Sequence, residues 1–258
     1  SFLNVTRSQE DVPAEWHNDV DWLIGQCAES MQRIYDAGAY RAHNEPSLFL
    51  YRLEAGDHTQ TGVMGLVPVT EPGDRRVLRH AFDATRREDA ARWAEATAAQ
   101  FGRIDIVINN AGISGRFAFD ALDEDVLDNM WEVNVKAPYR VISAALPHLR
   151  ACGEGRIVNV VSLAGMRQLT SSAAYTISKF AAMGLTHSAR HYLFEDGIRV
   201  TALCPGDTDT DMTVHSPRPN EEKTQPEDLA EIVSHVIALP NTASIATVPV
   251  NCIAEAFL

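Results

Sequence analysis

The unbroken apolar run IDIVI (104–108), followed at once by NNAG (109–112), constrains this chain more than any other feature. A short continuous run suits a strand covered on both faces, as in a parallel sheet. A glycine just past such a strand lets the backbone approach a ligand closely, and open α/β sheets bind at their carboxyl ends. The same grammar recurs along the chain. RVLRHAF (76–82) reads as a strand, followed by the turn DAT. A helix then places Ala90, Trp93, Ala94, Ala98 and Phe101 on one face and stops at Gly102. Further helices are predicted through Leu122, Val126, Met130 and Val133, through 141–149, and from Ala173 to Leu193. RIVNVVS (156–162) and IRVTALCPG (198–206) supply two more strands. A last helix, 227–239, is predicted to open on a capping box with Thr224 as N-cap and Glu227 at the third position. Alternation of this kind predicts an α/β fold with a doubly wound, Rossmann-like parallel sheet.

The first 75 residues read differently. Val20, Leu23, Ile24, Cys27, Met31, Ile34 and Tyr35 form an amphipathic helical pattern that stops at Gly38. SLFLYRLEAGDHTQTGVMGLVPV (47–69) holds two apolar runs separated by Ala55-Gly56-Asp57-His58, the pattern of an antiparallel hairpin. Pro72-Gly73 is a breaker pair. The chain is therefore read as an atypical segment over 1–72, helix plus hairpin, and an α/β domain over 73–258.

Chemistry concentrates in the second part. Tyr175 and Lys179, in YTISK, are four apart and share a helix face. An ammonium near a phenol favours phenolate, so the pair is suited to proton exchange with an alcohol or carbonyl. Ser162 ends the strand VNVVS, thirteen residues before Tyr175. Asn134 lies in VNVKAP. His187 and His191 have metal-compatible spacing but lack the Glu a zinc protease needs, so no metal site is assigned.

These pieces together resemble the short-chain dehydrogenase/reductase family over residues 76–258. The matching motifs are FDAT, GRIDIVINNAG, VNVKAP, GRIVNVVSLAG, YTISK, CPGDTDTDM and PEDLAEIVSHVIALP. The resemblance implies an oxidoreductase moving hydride between NAD or NADP and a carbonyl or secondary alcohol. It implies Tyr175 as acid/base, Lys179 as its tuner and ribose ligand, Ser162 as orienter of the substrate oxygen, and Asn134 as holder of a relay water. It implies cofactor contacts from Asp83, Asn110, Ala111, Gly112, Pro205, Gly206 and Thr210, and a substrate lid over 213–224. It also implies a homodimer or homotetramer through the helices around 121–150 and 173–195. Residues 1–70 resemble, in the pieces SFLNVTR, PSLFLYRL and TGVMGLVPV, a segment of an uncharacterised bacterial conserved-protein family, so the chain reads as part of one domain joined to most of another.

The family's front section carries T-G-x-x-x-G-x-G, whose glycines and following helix cradle a pyrophosphate. TGVMGLVP (61–68) does not supply it. Its spacing is one residue short, Leu66 stands where the last glycine belongs, and Pro68 forbids a helix there. Only 18 positions separate Gly65 from Asp83, whereas one βαβ unit takes roughly 30 residues. The stretch is read as the second hairpin strand. A second function therefore stands beside the first: a catalytically silent, dehydrogenase-like binding or assembly module.

Composition bounds the partners. A net charge of −13 argues against nucleic acid, which is held by clustered Lys and Arg. No apolar run reaches membrane-span length. Four scattered cysteines without a C-x-x-C pair suit reduced thiols in the cytoplasm.

Overall fold

The computed structural model describes residues 47–53, 60–66, 77–115, 123–168, 172–213 and 216–254. The expected N-terminal helix around 20–35 and the boundary at 72–73 lie outside them. Seven strands form one sheet: β1 (Ser47–Leu53), β2 (Gln60–Leu66), β3 (Val77–Phe82), β4 (Ile106–Asn109), β5 (Arg156–Val160), β6 (Arg199–Pro205) and β7 (Thr247–Val250). Their order is β3-β2-β1-β4-β5-β6-β7. From β1 through β7 each neighbouring pair is parallel. β2 alone runs against its neighbours, pairing antiparallel with both β1 and β3. The predicted hairpin is thus built into the sheet, with Leu48 opposite Ile106 and Tyr51 opposite Asn109. β3 and β1 keep the direction of β4, so their carboxyl ends share one edge with it.

The helices are α1 (Arg87–Phe101), α2 (Glu124–Trp131), α3 (Ala137–Cys152), α4 (Ala173–Leu193) and α5 (Pro226–Ala238). Alternation along buried strands sends side chains to two cores. Val107, Ile157 and Val200 join Trp93 of α1 and Val141 of α3 on one face. Ile106, Ile108, Val158 and Leu203 meet Leu229 and Ile237 of α5 on the other. Trp93 is fully buried, its ring 5.3 Å from Phe82. Burial of such a side chain contributes about 1.5–3 kcal/mol.

Two boundaries differ from the sequence reading. α2 and α3 are not separate helices but are joined by a π-helical turn, Glu132–Lys136. Pro138 has no N–H to give the carbonyl of Asn134 four residues back, and the turn widens there. The last helix opens one residue later than expected. Gln225 is its N-cap and the Asp228 carboxylate accepts the Gln225 N–H at 3.0 Å. Thr224 is occupied elsewhere, in a bridge with Thr208, and Pro226 sets the first helical φ.

Candidate functional site

The site grows from three strand ends on the carboxyl edge. β4 delivers Asn109 and Asn110, and the chain then runs irregularly through Ala111, Gly112 and Ile113. β5 ends two residues before Ser162. β6 ends at Pro205-Gly206. Across their mouth lies α4, whose N-cap Ser172 accepts the Tyr175 N–H at 3.2 Å and donates to the Gly115 carbonyl. That one serine fixes where α4 starts relative to the loop after β4.

The four residues singled out by sequence are brought together. Lys179 Nζ stands 5.6 Å from the centre of the Tyr175 ring. The Ser162 hydroxyl acts on the Tyr175 phenol, favouring its ionised form. Ser162 Oγ also accepts from the Ala164 N–H at 3.1 Å and lies 3.4 Å from the Pro205 carbonyl. Gly112 is the shared wall: a Cβ there would lie 3.2 Å from Lys179 Nζ and 3.5 Å from Asn134 Oδ1. Asn134 sits on the π-turn, where its amide pairs both ways with the Ile113 backbone at 2.9 Å.

The electrostatics depart from the expectation that Lys179 lowers the tyrosine. Burial raises the Tyr175 pKa above its ordinary value, and only the Ser162 hydroxyl opposes it. Burial also pulls Lys179 down to about 8, opposed by the neighbouring Cys204. Removing an ammonium from water disfavours its charged form. Cys204 itself is pushed up to about 11 by burial, so it stays a thiol. At neutral pH the pair is therefore a protonated phenol beside an ammonium that is close to releasing its proton.

The outlying residues are less tightly gathered. Asp83 follows β3, three strands from β4, and its Oδ1 accepts from Thr85 N–H and Oγ at 2.9 and 2.7 Å. Thr210 lies in the turn after β6, its hydroxyl 3.4 Å from the Thr208 carbonyl. The segment after it is anchored: Ser216 Oγ donates to Asp207 at 2.6 Å, and the buried Lys223 donates to the Thr213 carbonyl at 2.9 Å.

Sequence reasoning missed three supports. Ser178, fully buried, accepts from Asn134 Nδ2 at 2.9 Å and donates to the Tyr175 carbonyl at 2.8 Å. Its place inside YTISK was the available signal. Asn109 donates to Asn159 at 2.7 Å and Asn159 to Thr186 at 2.9 Å, a buried amide chain tying β4, β5 and α4. Two asparagines inside apolar strands signalled it. Asn251 accepts the Asp207 N–H at 3.2 Å and leaves Gly206 no room for a side chain.

A family model, short chain dehydrogenase, matches residues 68–221. The chain belongs to the short chain dehydrogenase family. Among curated relatives, two agropine synthesis reductases of Rhizobium rhizogenes are each 34% identical, over 67% and 80% of this chain. The matches span 41% and 48% of those proteins, so this chain covers less than half of their length. An uncharacterized oxidoreductase of Staphylococcus saprophyticus is 30% identical over 66% of the chain and 72% of its own length. A crystal structure of an alcohol dehydrogenase from the archaeon Thermococcus sibiricus, complexed with 5-hydroxy-NADP, superposes with a TM-score of 0.61 at 25% identity. That superposition covers 68% of this chain and 74% of the archaeal one. Among the described residues, no helix is long and apolar enough to cross a membrane.

The fit to a nicotinamide dinucleotide can be tested on the residues themselves, and it divides. Lys179 is 5% exposed, yet among the described residues its one hydrogen bond is to the Val160 carbonyl at 3.2 Å. An ammonium has three donors, so two remain for the hydroxyls of a ribose. That half fits. A pyrophosphate needs backbone N–H groups at a helix N-terminus following the strand beside β4. That strand is β1, and it is followed by its own antiparallel return. That half does not fit.

Proposed function

We propose that this protein is an oxidoreductase of the short-chain type, acting with a nicotinamide nucleotide on a small carbonyl or secondary-alcohol substrate. The observation that carries the reading is the gathering of Lys179 and Asn134 against Gly112, with Tyr175 beside Lys179 and Ser162 acting on the Tyr175 phenol, at the carboxyl edge of the sheet. A bound nicotinamide would supply the redox equivalent. The chain's own residues handle the oxygen and its proton. Ser162 orients the substrate oxygen, and Tyr175, held protonated by burial, gives it a proton as negative charge develops. Lys179 opposes the charge left on the phenolate and holds the ribose. Asn134, fixed by Ile113 and Ser178, keeps the widened turn in place beside them, where a relay water would return the proton.

Titration of NADH and NADPH fluorescence tests this reading, together with carbonyl reduction by the wild type and by Tyr175→Phe. Saturable binding with turnover abolished and affinity retained in the variant is expected. Retained turnover in Tyr175→Phe would contradict the acid/base role, and no binding up to millimolar nucleotide would sink the enzyme reading. In that case the second reading, a silent binding module, gains; the antiparallel β2 in place of a phosphate-binding crossover favours it.

A further inference from the structure

Building on the proposed oxidoreductase site, we propose that this chain grips its nucleotide by the nicotinamide-ribose half alone, its described residues offering no site to the pyrophosphate or the adenylate. The topology carries the inference. β1 occupies the sheet position beside β4, with Tyr51 opposite Asn109, so its carboxyl end faces the mouth that holds Gly112. β2 returns antiparallel, with Leu53 opposite Gln60. Only residues 54–59 lie between the two strands. A parallel crossover with a helix needs about a dozen residues or more. β1 thus lacks the parallel crossover that would bring a helix N-terminus to its carboxyl end.

The helices that do begin on this edge are already engaged. α1 carries Glu88 and Asp89 in its first turn, and Asp89 accepts the Asp83 N–H at 2.8 Å. α2 is capped by Asp123 and carries Glu124 and Asp125. α5 carries Glu227 and Asp228. Carboxylates at these positive ends repel a diphosphate and take the donors it would use. α4 has no acid in its first turn, but Ser172 accepts there. Asp83, at the expected adenine position, has one oxygen bound by Thr85 and the other 3.4 Å from Arg86 Nε.

The reversed strand also removes the means of telling NADH from NADPH. That distinction is made by a side chain about 20 residues past the glycine turn, near the ribose hydroxyl of the adenylate. Here β2 has Gln60 at the site edge, and its carboxyl end, Leu66, lies at the opposite edge, opposite Ser47. By contrast, two donors of the buried Lys179 have no partner among the described residues, and the close wall at Gly112 is intact.

The experiment compares dihydronicotinamide riboside, NADH and NADPH by their intrinsic fluorescence on the full chain, with ADP as competitor. The three dissociation constants are expected to agree within about tenfold, against the orders of magnitude that a working phosphate site adds. ADP should displace none of them, and Lys179→Met should weaken all three together. NADH or NADPH binding tighter than the riboside by more than about tenfold, or displacement by ADP, would overturn the inference while leaving the oxidoreductase reading standing. Failure of every reduced nicotinamide to bind at millimolar concentration would overturn both.

Discussion

Replacing Lys179 with methionine should stabilise the protein while destroying its site. Lys179 is 5% exposed and lies beside the buried Cys204, with a single carbonyl as its hydrogen-bond partner among the described residues. Its pKa falls from 10.5 to about 8. At about 1.4 kcal/mol per pH unit, that gap corresponds to roughly 3 kcal/mol of destabilisation whenever the ammonium is charged in both states. The sign follows from proton counts. Between pH 8 and 10.5 the unfolded chain binds the proton and the folded chain does not, so stability rises with pH across that window. Below pH 8 the full cost is present. Methionine has a similar volume and no charge, but it leaves the Val160 carbonyl without its donor, at about 1 kcal/mol. The variant should therefore be about 2 kcal/mol more stable than wild type at pH 7, with the advantage shrinking steadily above pH 8. Urea unfolding of both proteins at pH 7, 8.5 and 10 measures this directly, and the difference cancels other alkaline titrations. A destabilised variant at pH 7, or a gain that does not change with pH, would refute the claim that the buried ammonium is strained by desolvation.

Arg156 is 4% exposed and donates to the carbonyls of Glu154, Gly155, Ile237 and Leu239 and to Asn241, closing the end of α5. Arg156→Ala should cost about 3–5 kcal/mol in chemical denaturation; a loss within experimental error would show that α5 closes without it. Gly165→Ala would place a Cβ 2.6 Å from the Lys179 carbonyl. Overpacking against backbone should cost about 1–3 kcal/mol and weaken nicotinamide binding, because α4 must shift; unchanged affinity would contradict this. Ser178→Ala removes the hydroxyl between Asn134 and Tyr175, and a stability loss of about 1–2 kcal/mol is expected by urea unfolding; no measurable loss would show the link to be idle.

The strand and helix pattern from residue 76 onward was legible because its signals are local. IDIVI could be read as a two-sided strand since both of its faces meet apolar layers, and the fully buried β4 is what that run became. Tyr175 and Lys179 were legible because helical spacing puts them on one face whatever surrounds the helix. The capping of α5 was misplaced by one residue because Thr224, an equally good cap, is drawn into a bridge with Thr208. That competition depends on a loop distant in sequence. The join of α2 to α3 could have been read from Pro138, which denies Asn134 its ordinary helical partner.

The sequence by itself determined the chemistry at hand: a serine, a tyrosine and a lysine at workable spacing. Only the tertiary structure decided their electrostatics and their neighbours. Burial, a property of the packed fold, holds Tyr175 protonated and brings Lys179 to about 8, against the expectation drawn from the pair alone. Only strand pairing could place the hairpin beside β4, since a register between residues more than fifty apart leaves no mark on local periodicity. That pairing sets β2 against the direction of both its neighbours, and the half-site proposed above rests on it.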